Sequence, residues 1–275
     1  MLAVFGLWIG GAALQQIDWV EPAGQPLRVS LLQGSIPQEH KWLRAMRTPS
    51  LQLYLDMTAA VPDSRLVIWP ETAVPAFASE VEAPLLQPLD QQLRVEGRDV
   101  LLGIVDGDPD GAYFNAMMSL GASGRDHYHK RHLVPFGEFL PFDAVTRPLL
   151  DFLRIPMSDF APGGDDKPLI ALAGHQAGIN ICYEDAYGNE VARGLPEAAF
   201  LVNASNDAWF GDSLAPHQHL EIARMRSVEM RRFLLRATNT GISAIIDHHG
   251  RLRGTSPQFE KATLSDDIIP LRGTT

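Results

Sequence analysis

Short apolar runs alternate with amphipathic segments along most of the chain. Seven of these runs are rich in β-forming residues and have the length of buried strands. They are Leu27–Leu32, Leu66–Trp69, Val100–Val105, Tyr113–Leu120, Gly178–Cys182, Phe200–Asn203 and Ile242–Ile246. The pattern therefore predicts a substantial β-structure distributed over the whole chain.

Helical periodicity separates several of these runs. It spans Gln38–Ala60, where Pro49 predicts a break, and Val81–Val95. A third helix is predicted by residues that recur every three or four positions, at Leu220, Ala223, Ser227, Met230 and Leu234. Strands and helices in alternation indicate an α/β layered domain. Because no repeat or linker interrupts residues 21–275, we expect them to form one domain.

The first residues differ from the rest of the chain. Met1–Gln16 carries no charge, and the first ionisable side chain is Asp18. An uncharged stretch of this length lies at the short limit for crossing a bilayer, about 17–25 residues. It lacks the basic start of a signal peptide. The segment is therefore predicted to be either the end of a transmembrane helix or a buried apolar helix.

A second apolar segment, Phe136–Phe160, cannot form a long regular element because it contains Pro141, Pro148 and Pro156. Large apolar side chains on irregular backbone either cover a core or form a surface that meets an apolar partner. The residues alone leave both interpretations open, the first being the commoner outcome.

Composition and charge narrow the class of protein. Of 275 residues, 45% are hydrophobic and 20% are charged, which is typical of an ordinary globular chain. The formal net charge of −10 argues against a nucleic-acid partner, since an acidic chain gains nothing from counterion release. A single cysteine excludes an intramolecular disulfide.

That cysteine, Cys182, ends the apolar run Ala177–Ile181 and precedes a polar turn. Reactive groups of α/β folds often lie at such strand ends, although a lone cysteine is more often a small buried apolar residue. The neighbouring Glu184 and Asp185 are expected to raise the thiol pKa. A catalytic Cys182 therefore needs a cation and a base nearby.

Two further residues could supply these groups. Glu71 follows the apolar run that ends at Trp69, where a carboxylate can serve as a general base. Lys130 closes a β-like stretch and, once desolvated, could stabilise a thiolate and an oxyanion. Taken singly, each is as well explained as a surface residue.

The short sequence motifs around these residues are specific in combination. They are Trp69-Pro70-Glu71, then Lys-x-x-Leu-Val-Pro-Phe-Gly-Glu at residues 130–138, then Asn180-Ile181-Cys182-Tyr183-Glu184. Together they resemble the carbon–nitrogen hydrolase (nitrilase-like) superfamily, which uses a Glu, a Lys and a Cys in that order. Within it, the chain is similar to the acyltransferases that modify apolipoproteins. Further similarity lies in Ser205–Gly211, Ala223–Arg226 and Arg236–Ser243, and it covers nearly all of Val29–Phe259.

The resemblance implies an αββα sandwich and a role for each matching residue. Glu71 would be the general base, Lys130 the stabiliser of the oxyanion and Cys182 the nucleophile. The supporting and substrate-binding positions that match are Glu138, Tyr183, Glu184 and Trp42. No cofactor and no metal is implied.

The resemblance also implies substrates and a location. The acyl donor would be a membrane phospholipid, and the acceptor the N-terminal amine of an S-diacylglyceryl-cysteine apolipoprotein. The enzyme would lie in the bacterial inner membrane, with this catalytic domain, residues 21–275, on the periplasmic face. Residues 1–20 would then be the remnant of a transmembrane helix. Phe136–Phe160 would form an exposed arm that docks on lipid near the mouth of the site.

Three alternatives stay open from the residues. A soluble amidase or nitrilase would use the same Glu, Lys and Cys with water as acceptor, but would have no use for an apolar insertion. A metal site could use His127 and His129, which share a face of a strand, yet no carboxylate or Cys recurs at zinc spacing. A non-catalytic binding module would not need the full set of Glu, Lys and Cys.

The arginines of Pro216–Arg236 are predicted to form a solvated basic face.

Overall fold

The computed structural model describes residues 2–14, 19–108, 111–135, 137–139 and 159–274. Every apolar run predicted as a strand coincides with a strand, with differences only at the ends. The strands are β1 (Val20–Pro22), β2 (Leu27–Gln33), β3 (Leu66–Ile68), β4 (Val74–Phe77), β5 (Asp99–Gly107), β6 (Tyr113–Gly121), β7 (Asp126–His129), β8 (Leu169–Leu172), β9 (His175–Ile181), β10 (Phe200–Ser205), β11 (Leu234–Thr238), β12 (Ala244–Ile246), β13 (Leu252–Thr255), β14 (Ala262–Ile268) and β15 (Leu271–Gly273).

The helices connect these strands and flank the sheets. They are α1 (Leu2–Leu14), α2 (Gln38–Lys41), α3 (Arg44–Ala59), α4 (Ala78–Val81), α5 (Gln87–Glu96), α6 (Gly188–Ala192) and α7 (Ala215–Met230). A π-helical segment, Glu82–Leu86, joins α4 to α5. Two 3-10 turns, Cys182–Ala186 and Asp207–Phe210, come just after the ends of β9 and β10.

The strands form two large sheets. Among the described residues, the first has the order β14-β2-β3-β5-β6-β7, with β4 beside β5. The second has the order β13-β12-β11-β10-β9-β8. The central strands β2, β3 and β5 are parallel, as are β9, β10 and β11. A separate antiparallel pair joins β1 to β15.

Alternating side chains of the central strands build the layers. Leu66 and Ile68 of β3 pack between the sheets, in one cluster with Ile179 of β9. Val67 points to the opposite face and packs with Leu93 of α5. Helix α7 covers the outer face of the second sheet in the same manner. The layers are helix, sheet, sheet, helix, which confirms the αββα sandwich.

Two predicted helix limits are wrong. Helix α3 runs through Pro49, and the interruption lies instead at Trp42 and Leu43, between α2 and α3. One missing backbone donor is tolerated there because burial of Tyr54 and Met57 stabilises the helix. Helix α7 ends where Arg231 adopts a φ of 48°. The predicted helical stripe therefore stops at Met230, and Leu234 begins a strand.

The N-terminal helix is not buried. All described side chains of α1, from Val4 to Leu14, are exposed, so the interpretation of Met1–Gln16 as a buried helix is wrong there. Within the described ranges, no helix is long and apolar enough to cross a membrane. Most of Phe136–Phe160, namely residues 136 and 140–158, lies outside the described residues, so the predicted arm stays a prediction.

Candidate active site

Glu71 lies on a loop that leaves the end of β3 and is held tightly against β5. Its exposed fraction is 5%. A Cβ atom added to Gly103 of β5 would lie 2.4 Å from both the Pro70 oxygen and the Thr72 nitrogen. Only a glycine at position 103 therefore lets the loop approach this closely. Thr72 itself has a φ of 46°, so the chain turns sharply just after the carboxylate.

Lys130 comes directly after β7 and meets two carboxylates in the interior. Its Nζ lies 3.2 Å from Oε1 of Glu71 and 2.9 Å from Oε2 of Glu138. Asn115 of β6 joins the same group, because its Nδ2 donates to Glu71 at 2.7 Å and to Glu138 at 2.8 Å. Two predicted site acids and the predicted cation are thus brought together around one amide.

The charges determine the protonation of this group. Burial by itself lowers the pKa of Lys130, but the attraction of Glu71, Cys182 and Glu138 outweighs it and raises that pKa. The ammonium therefore stays charged. A fixed cation in a dry site can stabilise developing negative charge far better than one in water.

Cys182 begins the 3-10 turn that follows β9, in a strained conformation. Its φ is 54°, in the left-handed region that favours glycine. Burial raises the pKa of its thiol, Glu71 and Asp207 raise it further, and Lys130 opposes them, leaving a pKa of about 12. At neutral pH the thiol is therefore protonated and depends on a base to become a nucleophile.

Glu184 does not act on the thiol as expected from its place in the sequence. Its carboxylate accepts hydrogen bonds from the backbone N–H groups of Ile181, Arg131 and His132, and from the Tyr128 hydroxyl. Its partners lie on the segments that carry Cys182 and Lys130. The carboxylates with the largest effect on the thiol pKa are Glu71 and Asp207, which are distant in the sequence, and not the neighbouring Glu184 and Asp185.

The two aromatic residues predicted to shape the pocket lie in different settings. The Tyr183 hydroxyl donates to the Leu133 oxygen at 2.8 Å, and its ring centroid lies 5.9 Å from the Lys130 Nζ. Trp42 follows α2 and is 51% exposed. Tyr183 is therefore part of the site wall, whereas Trp42 projects from the surface.

Lys41 was missed as a site residue. It is 2% exposed, and its Nζ donates to the backbone oxygen of Glu71 at 3.1 Å. Burial lowers the pKa of this ammonium, against the attraction of Glu71, to about 8. Asn115 was also missed, since a single polar residue inside an apolar run gives no sign of its partners. Lys41 belongs to the pair Lys41-Trp42, which is part of the family resemblance but assigns the lysine no role.

Four of the five arginines of residues 216–236 fall into two groups. Arg224 and Arg226 pair with Glu221 and Glu229 on the surface of α7, as predicted. Arg232 and Arg236 are fully buried, so the prediction of a solvated basic face is wrong for them. They lie after the end of α7, where the helical spacing no longer applies.

A carboxylate, that of Asp106, lies beside His127 and His129, and the spacing of the two histidines in the sequence does not reveal it. Their ligand atoms and one oxygen of Asp106 all lie within 4.8 Å of one another. The two imidazole rings stack, with centroids 4.6 Å apart and planes 29° apart. The Nε2 of His129 lies 2.7 Å from the Oδ2 of Asp106, so in this structure the imidazole and the carboxylate bind each other.

The site as a whole combines a thiol, a buried ammonium and a carboxylate beside it. Such a set can support attack of sulfur on an acyl carbon, with proton transfer to Glu71 and stabilisation of the oxyanion by Lys130. This chemistry is common to hydrolysis and to acyl transfer, which differ only in the second nucleophile.

Comparison with known sequences agrees with this chemistry. Residues 28–271 match the carbon-nitrogen hydrolase family. A Methylococcus capsulatus protein named apolipoprotein N-acyltransferase is 49% identical over 269 residues, 97% of this chain and 53% of that protein. One of the same name from Nitrosomonas europaea is 43% identical over 275 residues, 100% of this chain and 55% of its own. The chain spans about half the length of the curated relatives it matches.

Solved structures share the fold at much lower identity. A carbon–nitrogen hydrolase superfamily protein from Xanthomonas campestris has a TM-score of 0.62 at 19% identity, over 89% of this chain and 91% of its own. An amidase from Nesterenkonia sp. AN1 has a TM-score of 0.65 at 17% identity, over 90% and 92% of the two chains. At such identities the likeness concerns the fold alone.

Proposed function

The chain belongs to the carbon–nitrogen hydrolase family, and we propose that it transfers a fatty acyl group from a phospholipid to the N-terminal amine of a diacylglyceryl-cysteine apolipoprotein. The observation that carries the proposal is a relative named apolipoprotein N-acyltransferase, to which this chain is 49% identical over 97% of its length. The convergence of Glu71 and Lys130 on one buried site supports the chemistry. Glu71, Lys130 and Cys182 are the proposed catalytic residues.

The first half-reaction loads the enzyme. Glu71 accepts the thiol proton while the sulfur of Cys182 attacks the ester carbonyl carbon of the phospholipid. The carbonyl oxygen becomes an oxyanion beside the ammonium of Lys130. When the tetrahedral intermediate collapses, the carbon–oxygen bond breaks and Glu71 returns the proton to the glycerol oxygen. The products are a lysophospholipid and a thioester on Cys182.

The second half-reaction transfers the acyl group from the Cys182 thioester to the acceptor. The α-amine of the apolipoprotein attacks the thioester carbon and gives up a proton to Glu71, while Lys130 again stabilises the oxyanion. The carbon–sulfur bond then breaks, and the sulfur recovers the proton. The net result is an amide and a free thiol, so the kinetics are ping-pong.

Exposed apolar residues beside the site suit a lipid substrate. Trp42 and Leu43 are each 51% exposed, and Trp209 is 73% exposed. The loops that carry them touch, because the Asn206 Nδ2 donates to the Gln38 Oε1 at 2.8 Å. A soluble amidase has no need of such a surface, and this favours the transferase over hydrolysis with water as acceptor.

We also propose a membrane setting for the whole protein. The exposed side chains of α1, including Phe5, Trp8 and Ile9, suit residues 1–20 as the remnant of a transmembrane helix. The domain would then lie on the periplasmic face of the inner membrane. The predicted arm at Phe136–Phe160 would add a second contact with lipid.

Acyl loading tests the proposal directly. The whole protein in its proposed membrane setting, incubated with vesicles of one phosphatidylethanolamine and no acceptor, should gain the mass of one acyl group. Peptide mapping should place it on Cys182, hydroxylamine should release it, and Cys182→Ala should not acquire it. A diacylglyceryl-cysteine peptide should then take the acyl group as an amide.

Two outcomes would overturn the proposal. One is no adduct on a protein whose Cys182 still reacts with iodoacetamide. The other is an adduct that water removes as fast as the peptide does, which would identify a hydrolase. Replacement of the exposed His217 by Gln provides a variant that should load normally.

A further inference from the structure

A buried group of four ionisable side chains lies behind Cys182. Asp185 belongs to the turn that Cys182 begins, Asp207 to the second 3-10 turn, His219 to α7 and Arg236 to β11. Three of these side chains have no exposed surface, and that of His219 is 7% exposed. Charged groups buried this deeply require partners.

The hydrogen bonds of His219 define its protonation state. Its Nδ1 lies 2.9 Å from the Asp207 Oδ1, and its Nε2 lies 3.1 Å from the Asp185 Oδ1. The Nε2 also lies 3.3 Å from the backbone oxygen of Cys182. All three partners are acceptors, and a neutral imidazole can donate from one nitrogen only. Both bonds are made together only if the ring is an imidazolium.

With His219 charged, the group is neutral as a whole. Arg236 bonds Asp207 at 2.8 Å and lies 3.6 Å from Asp185, so two cations balance two carboxylates. With His219 uncharged, one net negative charge would remain buried next to Cys182. A negative charge at that place opposes formation of the thiolate.

The same group holds the backbone of Cys182. The Cys182 oxygen accepts a hydrogen bond from Asn203 Nδ2 at 2.8 Å, in addition to the contact with His219. Arg236 in turn donates to the Oδ1 of Asn203. A left-handed conformation at a residue other than glycine persists only where its surroundings fix it, and these bonds do so.

We propose that His219, held as an imidazolium by Asp185 and Asp207, is a positioning residue for Cys182. It fixes the left-handed turn through the Cys182 carbonyl, and its charge cancels the field of the aspartates at the thiolate. The inference rests on the proposed function, in which Cys182 is the nucleophile.

The surrounding charges support this assignment. Burial and Arg236 lower the pKa of His219, but Asp185 and Asp207 outweigh them and raise it to about 9. Of the other elements packed against α7, β12 carries no charged residue, and Glu190 of α6 pairs with Arg131 and Arg193. The ionic environment of His219 is therefore set by the other three members of the group.

The single cysteine makes the proposal directly measurable. Alkylation by iodoacetamide proceeds through the thiolate, so its rate at each pH reports the thiolate fraction of Cys182. We would compare the 275-residue wild type with His219→Gln, Asp207→Asn and the double variant. His217→Gln, an exposed residue on the same helix, is the matched control. Thermal unfolding of each variant checks folding.

The expected results follow from the net charge. His219→Gln leaves one net negative charge, and its alkylation at pH 7 should be slower by on the order of tenfold. The double variant is again neutral and should recover most of the rate, while Asp207→Asn should be at least as fast as wild type. Above about pH 9, where His219 itself loses its proton, the wild type should approach His219→Gln.

Other outcomes would contradict the proposal. A double variant as slow as His219→Gln would assign His219 a structural role only, as would a wild-type to His219→Gln rate ratio that is the same at all pH values. If His219→Gln does not fold, the alkylation rates of Asp207→Asn and of the double variant still decide. A double variant that is alkylated much more slowly than both Asp207→Asn and wild type would contradict the role assigned to the charge. Failure of the proposed function is a separate result, in which these rates hold but no acyl adduct forms.

Discussion

The Nζ of Lys130 lies 3.2 Å from the Oε1 of Glu71, although 59 positions separate the two residues in the sequence. Strands β5 and β6 lie between β3 and β7, and the side chains meet because the loop after β3 lies against Gly103 of β5 while the Lys130 backbone bonds Asn115 of β6. Glu138 is held by the same ammonium, so one cation serves two buried carboxylates.

Replacement of Lys130 by Met should leave the carboxylates of Glu71 and Glu138 buried without the ammonium that both of them contact. We expect a loss of about 3–5 kcal/mol in the free energy of unfolding. We also expect alkylation of Cys182 at pH 8 to slow by at least about tenfold, because the thiolate loses its nearest positive charge. Denaturant unfolding and timed alkylation would measure the two effects. Lys167→Met, which breaks an exposed pair with Glu197, should change neither.

Asn115→Leu should show the contribution of the Asn115 amide separately from that of the Lys130 charge. The variant keeps the approximate volume but removes both donors to Glu71 and Glu138. We expect about 1–3 kcal/mol of destabilisation, since two buried acceptors each lose a partner, and a fall in acyl loading. Asn189→Leu, at an exposed position on α6, is the matched control. Loading at the wild-type rate would show that Asn115 does not help to place the carboxylates.

Gly103→Ala should displace the loop that carries Glu71. The added methyl group would lie 2.4 Å from backbone atoms of Pro70 and Thr72, which cannot move aside as a flexible side chain does. We expect about 1–3 kcal/mol of destabilisation together with slower loading. Gly164→Ala is the control, since the nearest atom to its added Cβ is 4.0 Å away. Similar melting temperatures for the two variants would contradict the argument.

The stability of the fold should depend on pH through His219. Its pKa is raised from 6.5 to about 9 on folding, so it stabilises the protein below about pH 6.5 and loses this effect as the pH rises through 9. The difference in unfolding free energy between wild type and His219→Gln should shrink over this range, by up to about 3 kcal/mol. Lys41 contributes with the opposite sign, because its pKa is lowered, but it is present in both proteins and cancels. A difference that is constant with pH would show that the proton on His219 is not linked to folding.

Much of the fold could be predicted from sequence because the central strands are buried on both faces. Strands such as β3, β5 and β10 are therefore nearly continuous apolar runs that stand out from their surroundings. The continuation of α7 to Leu234 was predicted wrongly because burial in a strand supplied an apolar residue at the next helical position. The passage of α3 through Pro49 depends on packing that no local pattern encodes.

The candidate site was only partly predictable for a related reason. Glu71, Lys130 and Cys182 each occur in a distinctive sequence motif, and such a motif can be recognised without knowledge of the residue's partners in space. Asn115 has no such motif, and the pair Lys41-Trp42 assigns no role to the lysine. Whether a lysine or an asparagine is buried depends on segments far away in the chain, as the bond between Lys41 and Glu71 illustrates.

The pairing of β1 with β15 also determines how the domain would respond to mechanical force. Val20 lies opposite Gly273, and antiparallel pairing resumes in a shifted register between β2 and β14, where Leu27 lies opposite Ile268. Tension applied at residues 20 and 273 would load the interstrand hydrogen bonds one after another, since in an antiparallel pair they lie across the strands. A pull through the two ends would therefore separate β1 from β15 and then β2 from β14, one hydrogen bond after another and at low force.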